Sequence, residues 1–84
     1  MAPGEFMAQV RAVMRLRHLS YRTEQSYCYV IKRFICYHNK RHPSEMGAEE
    51  VTAYLTHLAC DRQVSISTQH VALCALLFLY RVVL

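Results

Sequence analysis

The sequence is poor in residues that interrupt helices: its 84 residues include two glycines and two prolines, and both prolines fall outside the segments with helical periodicity. So few breakers favour an all-α fold before any motif is considered. Charge is also sparse, at 19% of residues against 54% hydrophobic, which leaves ample apolar surface for a core and excludes intrinsic disorder. A second domain is excluded too, because a chain this short buries only about 60–65% of its extended surface on folding.

Three further absences narrow the function. No secretory signal precedes Cys28, Cys36, Cys60 and Cys74, and each lies in a helical pattern, so four reduced thiols in a bacterial cytoplasm are expected rather than a disulfide framework. There is no Cys-x-x-Cys pair; Cys28 and Cys36 stand eight positions apart, and His38 and His42 flank a helix break, so neither a metal site nor a cofactor is expected. The apolar run Val71–Leu84 is shorter than the ~20 residues that span a bilayer, and Arg81 interrupts it. It reads as a core helix, with no membrane partner.

What is present is basic: ten Lys and Arg against six Asp and Glu give a net charge of +4, which suits a polyanion-binding surface. Residues 1–6, Met-Ala-Pro-Gly-Glu-Phe, stand ahead of a second methionine and read like a vector-derived leader, so the domain is expected over 7–84. Apolar periodicity then predicts four helices near 7–18, 20–38, 47–62 and 66–83. Ser20 is placed to cap the second helix, Gly47 or Ser44 the third, and Ser65 or Ser67 the fourth. Pro43 breaks the chain between the second and third.

The second helix has an apolar stripe of Tyr27, Val30, Ile31, Phe34 and Ile35, with His38 at its end. Its opposite face, Arg22, Gln25, Ser26, Tyr29, Lys32, Arg33 and Cys36, is polar, basic and outward. The third helix carries Glu49 and Glu50 in its first turn and is the acidic one. The fourth is apolar nearly all round, and Leu77, Phe78, Val82 and Val83 cannot all face one small core, so self-association through this helix is expected.

The strings Val10–His18, Ser20–Glu24, Lys40–Pro43, Tyr54–Ala59, and Ser67–Gln69 continuing through Ala75–Arg81 together resemble the N-terminal SAM-like core-binding domain of tyrosine recombinases of the integron-integrase type. The likeness runs from Met7 to Leu84. It departs at Cys28 and Cys36 on the long helix, and at Val82-Val83, where an acidic residue is expected. The resemblance implies a four-helix bundle that forms one half of a clamp on DNA at recombination sites, duplex or folded single-stranded. A catalytic domain of the same parent chain would close the clamp and carry the nucleophilic tyrosine. None of that catalytic constellation occurs here, so the segment is expected to bind DNA without cutting it.

In that family the second and fourth helices approach the major groove, which makes Arg22, Gln25, Ser26, Tyr29, Lys32 and Arg33, with Ser67, Thr68, His70 and Cys74, the candidate DNA-binding residues. Lys40 and Arg41, beside His42 in the charged loop, are candidates for phosphate contact. Each also has a plainer reading: a solvated helix face, a hydroxyl that only caps, or a loop that only confers solubility. The alternative function is a helical protein-interaction module that docks through its apolar fourth helix.

Overall fold

A computed structural model describes residues 3–84 and is all-helical: α1 (Pro3–Leu16), α2 (Tyr21–Tyr37), α3 (Ala48–Thr56) and α4 (Ile66–Phe78). A 3-10 turn, Pro43–Glu45, lies between α2 and α3, and wider π-type turns, His57–Asp61 and Leu79–Val83, continue α3 and α4. The N-caps follow the side-chain chemistry. The Ser20 hydroxyl accepts from the Thr23 N–H and the Ser65 hydroxyl from the Thr68 N–H, each at 3.2 Å. Gly47 precedes α3 with no side-chain cap, and His42 Nδ1 accepts from the Ser44 amide ahead of the Pro43 turn.

With so little glycine, the left-handed positions that close helices fall to other residues. His18 and Asn39 have φ near +60° directly after α1 and α2. The bonds Leu19 N to Met14 O and Lys40 N to Ile35 O, at 3.1 and 2.9 Å, complete a Schellman closure at each end. Gln63, at φ 49°, plays the corresponding part after α3.

The core combines Val10 and Met14 of α1, Ile31 and Phe34 of α2, Tyr54 and Leu58 from the α3 segment, and Ala72, Ala75, Leu76 and Leu79 from the last helix. α2 and α4 make the most extensive helix contact, and the small Ala72 and Ala75 let their axes approach. Phe34 anchors an aromatic cluster, edge-on to Tyr54 and Tyr80 at 5.7 and 6.4 Å.

The structure departs from the sequence reading at the start of the chain. α1 begins at Pro3 rather than Met7, and Phe6, set aside with residues 1–6, is only 2% exposed in the core. α2 also buries more than its expected stripe: Cys28 and Glu24 are inside as well. Glu24 lies 3.4 Å from the Arg15 guanidinium of α1, which supplies its counter-charge.

Ile66–Val83 forms one 18-residue helical run, long and apolar enough by length and composition to cross a bilayer. In the bundle its inward side is core, while Leu73 and Leu77 stay partly exposed, Leu77 at 37%. Phe78, expected among the uncovered residues, packs against Tyr27 at 5.9 Å, and Val83 also leans on the core.

Candidate nucleic-acid interface

α2 stands out from the bundle as a ridge. Its residues Glu24, Cys28, Ile31, Phe34 and Ile35 point inward, which leaves Arg22, Gln25, Ser26, Tyr29, Lys32, Arg33 and Cys36 along the crest and flanks. Tyr29, at 64% exposure, marks the crest.

On one flank, α2, the end of α3 and the start of α4 enclose a groove of about 390 Å³. Ser26, Tyr29, Arg33, Arg62, Ser67 and Thr68 line its polar side, over a floor of Val30, Tyr54, Leu58, Val64, Val71 and Ala72. The groove continues between α2 and α4 as a recess of about 360 Å³ lined by Arg22, Thr23, Ser26, Tyr27, His70, Val71 and Cys74. Ser26 and Val71 belong to both, so the two form a single furrow.

Eight of the sequence candidates therefore meet in one place: Arg22, Ser26, Tyr29, Arg33, Ser67, Thr68, His70 and Cys74. The other four lie elsewhere. Gln25 sits outside the furrow and donates from Nε2 to the Tyr21 hydroxyl at 2.8 Å. Lys32 and Lys40 line a separate groove between α1 and α2. Arg41 donates to the Glu45 carbonyl oxygen at 2.9 Å, which ties it to the 3-10 turn.

Arg62 is the residue the sequence reading misses. It is the last residue of the helix read as the acidic one, yet it lines the same groove as Arg33 and Thr68. The signal was positional: it sits three residues before the N-cap of α4. Among the described residues the ion pairs are Arg15–Glu24 and His57–Asp61, so Arg22, Arg33 and Arg62 have no carboxylate partner and are available to an external anion.

Beside Arg33 and Arg62, Tyr37 stacks on His57 with ring centroids 4.6 Å apart. His57 is oriented by Asp61, whose Oδ2 lies 3.0 Å from its Nδ1. Burial pushes the Tyr54 phenol up from its ordinary pKa, against the pull of Arg33. The Cys74 thiol lies 3.5 Å from His70 Nε2, one turn apart on α4. No third potential metal ligand joins them among the described residues. Arginines over an apolar floor, with hydroxyls between them, can hold a phosphate backbone and hydrogen-bond to it.

Residues 6–84 match the family described as phage integrase, N-terminal SAM-like domain. Over 76 residues the chain is 49% identical to curated proteins named Integrase/recombinase from Escherichia coli and from Pseudomonas aeruginosa. That stretch is 90% of this chain and 23% of each relative, so the chain spans about a quarter of their length. The chain thus belongs to the phage integrase N-terminal SAM-like domain family, the N-terminal domain of a family of recombinases.

Proposed function

We propose that this domain binds DNA at recombination sites through the furrow between α2 and α4, as the core-binding half of a site-specific recombinase of the integron-integrase type. The observation that carries the reading is the gathering of Arg22, Arg33 and Arg62, none with a carboxylate partner, around one groove with Ser67 and Thr68. Phosphates held by the arginines fix the register, and side chains on the ridge, Tyr29 foremost, reach the base edges. Strand cleavage and joining belong to a catalytic domain elsewhere in the parent chain, and the proposed setting is the bacterial cytoplasm.

A second reading rests on the partly exposed Leu73 and Leu77 of α4, which suit docking to a protein, either another domain or a second copy. Salt dependence separates the two. Binding of a fluorescent duplex should weaken steeply as salt rises, and the double variant Arg33→Gln, Arg62→Gln should reduce the slope by about two, since each lost phosphate contact removes about 0.9. Binding with no salt dependence, or an unchanged slope in the variant, would exclude this groove as the DNA-binding surface.

A further inference from the structure

Lys32 and Arg33 are adjacent in sequence but point about 100° apart on a helix with 3.6 residues per turn. Arg33 turns toward α4, and Lys32 toward α1, where a groove of about 340 Å³ is lined by Gly4, Met7, Arg11, Lys32, Ile35, Cys36 and Lys40. Three cations on three different segments converge there, and among the described residues no carboxylate pairs with any of them. Lys40 is fixed in place by its left-handed backbone and the 2.9 Å bond from its amide to the Ile35 carbonyl oxygen. The buried Met7 and Ile35 form an apolar floor along which long basic side chains can lie with their charges at the rim.

The geometry points to a second phosphate-binding site: Arg11, Lys32 and Lys40 hold the DNA strand opposite the one gripped at Arg33 and Arg62, so that α2 straddles the major groove. This rests on the proposed DNA-binding function and adds a strand to it. A helix about 10–12 Å across fills a major groove about 12 Å wide, and the walls of that groove are the backbones of the two strands. A ridge that gripped one wall would need cations on one flank, whereas α2 has unpaired cations on both.

The test uses duplexes in which a run of phosphates on one strand, or on the other, is replaced by neutral methylphosphonates. The unmodified protein should lose affinity with either duplex. The double variant Arg11→Gln, Lys40→Gln should bind with a salt slope lower by about two, and should lose most of its response to replacement on one strand. The variant Arg33→Gln, Arg62→Gln should lose most of its response to the other strand. Thermal melting by circular dichroism checks that all of these proteins are folded. If the Arg11 and Lys40 variant keeps the normal slope while the Arg33 and Arg62 variant loses it, the second site is wrong and the first stands. If both variants lose response to the same strand, the straddling geometry is wrong. If neither slope changes, the DNA-binding assignment of the furrow fails along with the second site.

Discussion

The Tyr80 hydroxyl donates a 2.9 Å hydrogen bond to the Pro43 carbonyl oxygen, which pins the final turn of the chain to the 3-10 turn between α2 and α3. Tyr80→Phe keeps the ring against Phe34 and removes only this bond, so it should lower unfolding free energy by about 1 kcal/mol, measured by urea denaturation. Burial holds the Tyr80 phenol up at about 12, above its ordinary value of 10.0. A group whose pKa is raised on folding contributes stability below its unfolded pKa and loses it as pH climbs through the folded one. Stability should therefore decline between roughly pH 10 and 12. The Tyr80→Phe protein should decline less, and equal decline would discount Tyr80 as a source.

Phe6 tests where the domain begins. It is enclosed in the core beside Met7 and Val10 and stacks edge-on against His42 at 4.8 Å. Phe6→Ala should cost about 3–5 kcal/mol through lost burial and the cavity left behind. A change under 1 kcal/mol in denaturant titration would mean the first turn contributes little.

Gln63 holds a left-handed backbone that a side chain makes unfavourable by about 1–2 kcal/mol. Glycine loses more chain entropy on folding, which offsets part of that. Gln63→Gly should still raise stability by about 0.5–1 kcal/mol, seen as a higher melting temperature.

Two serines at the start of α4 should separate capping from binding. Ser65 makes the capping bond, so Ser65→Ala should lower stability by about 1 kcal/mol. Ser67 lines the groove without capping, so Ser67→Ala should leave the melting curve unchanged and weaken duplex binding. The reverse pattern would assign Ser67 to the fold and Ser65 to the ligand.

The helices and the outward face of α2 were legible in the sequence because a 3.6-residue period is written directly into the order of apolar residues. Ser20 and Pro43 marked their boundaries for the same local reasons that operate in the fold. Which neighbour each exposed residue joins was not legible, because that depends on how the helices pack. Lys32 and Arg33 read as one basic pair and end on different flanks. Arg62 is the last residue of the expected third helix and caps its end in the fold, where periodicity does not show which neighbours it meets. Glu24 reads as an N-terminal acid on a helix and is also a buried partner of Arg15, a pairing that appears only once α1 lies against α2.

The first helix and the final turn, Leu79–Val83, are in contact. Phe6, Met7, Val10 and Met14 thus receive part of their cover from residues made more than sixty positions later. The entropy of closing so long a loop must be met before the contact can reward it, which slows folding and leaves little room for partly built states. The N-terminal helix packs on α2 as well as on this final turn, in one shared core, so the domain should fold in one cooperative step rather than helix by helix. A chain cut before Leu79 would then lose order at both of its ends, with the damage reaching α1 although α1 itself is intact.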